Sequence, residues 1–141
     1  MEQTVSVPAE YLYCFNTGCP REKECMRHFA AEHIDKEIIV GTAVFPTALQ
    51  ADGGCKRFKL KRVIKAAWGF EKLFREVKER HASLLRDKLK SYLGGNGTYY
   101  RYHHGDRLLT PEQQAWILDL FRRYGYTDGL EFDGYREVWD W

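Results

Sequence analysis

Residues 14–25 read CFNTGCPREKEC, and this stretch decides the fold because it places three cysteines within twelve residues. The fourth cysteine of the chain, Cys55, follows the glycine pair of the segment QADGGC. The turn-forming residues Asn16, Gly18 and Pro20 allow the chain to bend between the first three thiols. Four thiols that a bent chain can bring together predict one shared centre.

The cysteine pattern predicts a tetrahedral zinc ion with four thiolate ligands. The spacing C-x4-C-x5-C-x29-C differs from the C-x2-C pairs of most zinc fingers, so alternatives stay open. One is a [4Fe–4S] cluster, which also takes four thiolates. Another is a set of four buried thiols that behave as small apolar side chains. His28 and His33 could replace a cysteine as ligands. The predicted metal ligands are Cys14, Cys19, Cys25 and Cys55.

The cellular compartment is expected to be the cytoplasm. Residues 1–13 contain neither the basic nor the apolar region of a secretory signal. The sequence has no run of about 18 apolar residues that could cross a membrane. Disulfides rarely persist in the reducing cytoplasm, and this favours a metal centre over disulfide bonds.

Basic residues are concentrated in the middle of the chain, although the net charge is only +2. Residues 56–65, KRFKLKRVIK, contain six bases and no acid. Residues 1–55 and residues 127–141 each sum to −4. A local basic patch of this kind is typical of surfaces that bind phosphate groups.

The patch and a tyrosine-rich segment together predict a nucleic-acid interface. Residues 98–103, TYYRYH, contain tyrosines interleaved with basic residues, and tyrosine rings can stack on unpaired bases of RNA or DNA. Two other functions stay open: an adaptor that docks on a partner protein, and a redox sensor built on an iron–sulfur cluster. The predicted nucleic-acid-binding residues are Lys56, Arg57, Lys59, Lys61, Arg62, Tyr99, Tyr100, Arg101 and Tyr102.

Catalytic residues are not predicted, and an enzyme is the less favoured interpretation. None of the three serines lies in a G-x-S-x-G turn. His103 and His104 would face opposite sides of the expected strand, so they cannot act as a pair. A closed four-thiolate site has no open coordination position and would stabilise the protein without activating water.

The fold class predicted is α+β, with a small mixed sheet, three to four helices and an N-terminal cysteine-rich metal-binding lobe. The chain is short enough for a single domain over residues 1–141, divided into a lobe at 14–55 and an α+β body at 56–141. Capping-box residues at Thr110 and Gln113 predict a helix that begins there. The expected strands are 38–45, 56–63 and 98–103. The other expected helices are 22–33 and 70–92, the latter either one long helix or two helices with a break near 82–83.

Several segments resemble an uncharacterised family of small bacterial four-cysteine proteins. They are NTGCPREKEC at 16–25, AAWGFEKLF at 66–74, YYRYHHGDRLLTPEQQ at 99–114 and FRRYGY at 121–126. The resemblance runs over nearly the whole chain and implies a shared fold and cysteine cluster. It implies no activity, so no catalytic residue is carried over from it.

Overall fold

A computed structural model of the protein describes residues 5–141. Within these residues it contains five α-helices and two two-stranded sheets, which confirms the α+β class. The chain forms two compact units. The first comprises the described residues up to Val63 together with Trp139–Trp141, and the second comprises Ile64–Val138. The boundary that the sequence predicts between lobe and body lies earlier, after residue 55.

The first unit is built around one short helix and one pair of very short strands. Strands β1 (Leu12–Tyr13) and β2 (Thr42–Ala43) pair in parallel. Helix α1 (Met26–Glu32) buries Met26 and Ala30. The remaining structure consists of loops, two 3-10 turns (Glu22–Glu24 and Pro46–Ala48) and single antiparallel bridges. So little regular structure leaves the unit a small apolar core.

The end of the chain completes the first unit. The Trp139 ring lies 4.6 Å from the Phe29 ring, measured between centroids, and the Trp141 ring lies 5.9 Å from it. Arg62 Nε donates a 2.8 Å hydrogen bond to Asp140 Oδ2, and the same two residues form an ion pair. The two tryptophans and this ion pair therefore fix the tail to residues far from it in sequence.

Two strand predictions in the first unit are wrong. Of residues 38–45 only β2 is a strand, and Ile39 and Val40 are 91% and 83% exposed. The apolar run is typical of a buried strand, but Val44 is its only buried residue. Residues 56–62 form a loop, and the expected strand starts only at Val63.

The second unit contains most of the helical residues. Its elements are β3 (Val63–Trp68), α2 (Glu71–Phe74), α3 (Glu79–Leu93), α4 (Asn96–His104), α5 (Pro111–Arg123) and β4 (Gly134–Trp139), and β3 pairs with β4. The end residues Val63 and Trp139 of these strands belong to the first unit. Apolar residues at three- and four-residue spacing on α3 and α5 face a common core. Its most deeply buried large side chains are Phe70, Leu85, Leu89, Leu109, Ile117, Phe121 and Phe132.

The tyrosine-rich segment is a helix and not the expected strand. Gly94 ends α3 in the left-handed conformation, and α4 begins directly after Gly95. In a helix Tyr99 and Tyr102 lie three residues apart on one face, and both are buried in the core. Packing of these two rings outweighs the preference of aromatic residues for strands.

The segment 70–92, predicted as one long helix or as two, forms two helices, and the break is not near 82–83. The break lies between α2 and α3, at residues 75–78, and α3 continues unbroken through residues 82–83. The helix predicted at Thr110 is confirmed together with its capping box, in which Gln113 N–H donates to Thr110 Oγ1 at 3.3 Å. No helix in the described part of the chain is long and apolar enough to cross a membrane.

Candidate metal centre

All four cysteines line one pocket of the first unit, with a volume of about 140 Å³. They reach it from four places: the end of β1, the turn that follows it, the residue before α1, and the loop after the glycine pair. Apolar side chains form much of the remaining wall, including Val44, Leu49 and Phe58. None of the four thiols forms a disulfide. Residues as far apart in sequence as Cys14 and Cys55 therefore meet at one site.

Two of the thiols accept backbone hydrogen bonds of the same kind. The Cys55 sulfur accepts a hydrogen bond from Arg57 N–H at 3.4 Å. The Cys14 thiol has the corresponding bond with the backbone of Asn16. In both cases the donor lies two residues after the cysteine. Backbone donors of this kind stabilise negative charge on sulfur and hold the sulfur in one direction.

The other two cysteines are held by the backbone of the helical segment. Cys25 is the residue before α1, is buried, and forms an isolated antiparallel bridge with Leu60. The carbonyl oxygen of Cys19 accepts a hydrogen bond from Glu22 N–H at 3.2 Å, which starts the 3-10 turn. The sequence between Cys19 and Cys25 thus forms one tight turn whose two ends are thiols.

Electrostatics connects Cys14 with the other three thiols. Burial raises the pKa of the Cys14 thiol, and negative charge on Cys25, Cys55 and Cys19 raises it further. The hydrogen bond from the Asn16 backbone acts in the opposite direction and lowers the pKa. The sulfurs of Cys25, Cys55 and Cys19 are therefore close enough to Cys14 to influence its ionisation.

The thiols are not arranged as a coordination sphere. Among the described residues, no three or more His, Cys, Asp or Glu side chains stand close enough together to hold a metal ion. The donor set nevertheless fits a metal that prefers sulfur, because four free thiols share one partly apolar pocket. Binding would require the sulfurs to move closer together.

The two histidines named as alternative ligands differ in position. His28 lines the pocket, and its Nε2 lies 3.2 Å from Glu32 Oε1. Its Nδ1 is buried and has no hydrogen-bond partner among the described residues. His33 lies outside the pocket lining, with its Nδ1 3.0 Å from the Phe29 carbonyl oxygen. Only His28 is placed where it could substitute for a thiol.

The predicted nucleic-acid-binding residues do not form one surface in either unit. Residues 56–62 belong to the first unit and residues 99–102 to the second. In the first unit Arg62 is paired with Asp140, and Lys61 Nζ lies 5.2 Å from the centre of the Phe29 ring. Two cations of the set therefore already have partners within the protein.

The tyrosines of the set are also divided by their burial. Tyr99 and Tyr102 are buried, so their rings cannot stack on a base. Tyr100 is 41% exposed, and Arg101 is exposed beside it on α4. The stacking prediction therefore applies only to Tyr100, because the helix turns the other two rings into the core.

A comparison of the sequence with protein-family models matches residues 1–141 to a family of unknown function, DUF6078. The chain belongs to the DUF6078 family. The match covers the full sequence and confirms the resemblance noted from its cysteine and tyrosine segments. No curated protein matches the chain, and no solved structure matches it.

In this DUF6078 chain the thiols of the pocket can be recognised from the sequence, but the groups that hold them in place cannot. Arg27 is the main example: its Nε donates to the Arg57 carbonyl oxygen at 2.8 Å and its backbone carbonyl accepts from Cys14 N–H at 3.1 Å. One arginine thus connects the loops that carry Cys14 and Cys55. Its position two residues after Cys25 is the only sequence feature that indicates this role.

Proposed function

We propose that Cys14, Cys19, Cys25 and Cys55 bind a single zinc ion whose role is to stabilise the first unit. The observation that supports this proposal most strongly is that every cysteine of the chain lines one pocket. Three of them, Cys14, Cys19 and Cys55, are only partly buried, whereas cysteines that serve only as small apolar side chains are among the most deeply buried residues. The paired backbone N–H donors at Cys14 and Cys55 add to the argument, because they hold two of the sulfurs in fixed directions at the pocket.

The first unit has little regular structure to stabilise it, which also favours a metal centre. Its strands are two residues long and its helix has seven residues, so regular structure contributes little to its stability. Small units with limited cores commonly depend on a metal or on disulfides. Four thiolates fill the coordination sphere of zinc, so the ion would stabilise the fold and leave no open position for a substrate.

Thiol alkylation tests the shared centre. With zinc bound, iodoacetamide should modify none of the four cysteines in the native protein, and a zinc chelator should make all four react together. Replacing any one, as in Cys55→Ser, should weaken the site and expose the other three. Independent reaction of each thiol, with buried Cys25 the slowest and no effect of chelator, would contradict a shared ion.

The colour and the iron content of the purified protein distinguish zinc from the iron–sulfur alternative. A brown protein that contains iron and acid-labile sulfide after anaerobic purification would replace zinc with a cluster on the same four thiolates. A colourless protein with zinc would exclude it.

We propose further that the loop after Cys55 uses the zinc-stabilised unit as a support for binding nucleic-acid phosphates. Lys56 and Arg57 are exposed, and Lys59 is partly exposed. None of these three side chains has a carboxylate partner among the described residues. Backbone bonds hold the loop in place, since Lys59 carbonyl oxygen accepts from Met26 N–H at 2.6 Å. Fixed cations without partners favour contact with phosphate.

Filter binding of a single-stranded RNA at two salt concentrations tests this second proposal. The double variant Lys56→Gln/Lys59→Gln should reduce the slope of log K against log salt by about 0.7 for each lost contact. Lys36→Gln/Lys78→Gln removes the same charge from exposed positions elsewhere and should leave the slope unchanged. Absence of RNA and DNA binding at low salt, or equal losses in both variants, would contradict the proposal. RNA-independent co-purification of one protein would favour an adaptor.

A further inference from the structure

A second pocket, in the second unit, combines cationic and aromatic side chains. Its volume is about 360 Å³, which is within the range of small-molecule sites. Residues of α2 and of the positions just before and after it, of α3 and of α4 line it. The lining residues are Phe70, Glu71, Phe74, Arg75, Arg86, Tyr99, Tyr100 and His103.

The two arginines have no carboxylate partners among the described residues. Arg75 is exposed, and the guanidinium of Arg86 lies 5.1 Å from the centre of the Phe74 ring. One acid, Glu71, lies at the exposed margin, so the lining retains an excess of positive charge. Two guanidinium groups that share a pocket and lack an internal counter-ion favour an anionic ligand.

His103 adds a neutral donor. Its Nδ1 accepts the backbone N–H of Phe70 at 3.1 Å. An Nδ1 that accepts this bond carries no proton, so in the neutral ring the proton is on Nε2. No acceptor for this Nε2 proton is present among the described residues. The pocket therefore holds a donor whose tautomer is fixed by the main chain.

Aromatic rings form the rest of the wall. Phe70 and Tyr99 are stacked with centroids 5.0 Å apart, and Lys90 Nζ lies 5.6 Å from the centres of both the Tyr99 and Tyr100 rings. Tyr100 is the exposed ring of this group, so one aromatic face is accessible at the margin of the pocket. An accessible ring next to cations favours a ligand that has both a planar group and a negative charge.

We propose that this pocket binds a small organic phosphate that carries a planar ring. The phosphate would contact Arg75, Arg86 and the Nε2–H of His103, and the ring would lie against Tyr100. Three donors suit the three terminal oxygens of a phosphate monoester better than the two oxygens of a carboxylate. The site lies in the second unit and does not depend on the zinc centre or on the basic loop.

Titration of isotope-labelled protein with phenyl phosphate, followed by NMR, tests the proposal. We expect saturable shifts at the amides of residues 70, 75, 100 and 103, and binding about fivefold or more tighter than that of inorganic phosphate because of the ring. Benzoate should bind more weakly than phenyl phosphate. Absence of shifts at low salt, or equal affinity for benzoate and phenyl phosphate, would overturn the proposal.

Two pairs of variants distinguish the pocket from general surface charge. Arg75→Gln should weaken phenyl phosphate binding about tenfold, the usual effect of losing one charge-assisted hydrogen bond. Arg80→Gln removes an exposed arginine outside the lining and should have no effect. His103→Asn keeps an acceptor for Phe70 N–H but loses the Nε2 donor, whereas His104→Asn changes a neighbour outside the lining. Equal losses within either pair would overturn the proposal.

Discussion

Tyr99 shows how burial of one side chain makes stability depend on pH. Its ring is 4% exposed, and the guanidinium of Arg86 is its hydrogen-bond partner. Burial raises the pKa of the Tyr99 phenol above 10.0, while Arg86 lowers it by a smaller amount. The folded protein therefore keeps this phenol neutral at a pH where the unfolded chain ionises it.

We expect Tyr99→Phe to lose less stability than the wild type when the pH is raised above 10. Because the folded pKa lies above the unfolded value of 10.0, the contribution of the neutral phenol is complete below that pH and is lost as pH rises through the folded value. Urea unfolding at a series of pH values measures this.

The other tyrosines are present in both the wild type and Tyr99→Phe, so they do not contribute to the difference in stability between the two. Tyr100→Phe serves as the control, since it removes an exposed phenol from the same helix. If the free energies of unfolding of wild type and Tyr99→Phe differ by the same amount at every pH, burial of Tyr99 is not the cause of the pH dependence.

For single residues, the sequence shows which chemical groups are present but not which groups contact them in the fold. The cysteines could be named as a cluster because thiol spacing depends on residue identity alone. The backbone donors of Asn16 and Arg57 could not, because any residue supplies an N–H and only the loop conformation directs it to sulfur. For the same reason the fixed tautomer of His103 could not be predicted from sequence.

Among the elements, α5 and α4 mark the two extremes of predictability. Helix α5 begins with a capping box whose hydrogen bonds involve residues three apart, so local sequence is sufficient to predict it. Helix α4 has no such signal, and its tyrosines prefer strands. Its conformation depends on the burial of Tyr99 and Tyr102 against residues distant in sequence, and local patterns do not contain that information.

The start of α2 depends on Gly69, the glycine just before it, having no side chain. Gly69 has a φ of +85°, and a Cβ there would overlap the side chain of Asp133. The same carboxylate accepts the N–H groups of Glu71 at 3.2 Å and Lys72 at 2.8 Å, so it cannot move without losing the cap of α2. Gly69→Ala should therefore combine backbone strain with loss of this cap.

Gly94→Ala is the matched control, because Gly94 has a φ of +98° and nothing within 4 Å of its position for a Cβ. We expect Gly94→Ala to lower the free energy of unfolding by about 1 kcal/mol, the cost of a left-handed alanine. Gly69→Ala should cost about 2 kcal/mol more, since overpacking is added. Urea denaturation measures both, and equal costs would contradict the contact with Asp133.

At the scale of the whole molecule, the two units are stabilised in different ways. The second unit has a continuous core of buried apolar residues from its helices. The first has short strands, exposed apolar residues at 38–40 and four thiols around one pocket. The mixture of expected strands and helices predicted the α+β class, and the cysteine pattern predicted an N-terminal lobe. The boundary after Val63 could not be predicted, because it is set by which contacts form. The first unit is therefore the one that a bound metal ion would stabilise.

The most direct test is the metal content of freshly purified protein, measured by inductively coupled plasma mass spectrometry. The control is the variant in which Cys14, Cys19, Cys25 and Cys55 are all replaced by serine. We predict one zinc ion per chain in the wild type and none in the variant, because hydroxyl groups do not replace thiolates as zinc ligands. A wild type without stoichiometric metal, or with the same metal content as the variant, would contradict the account.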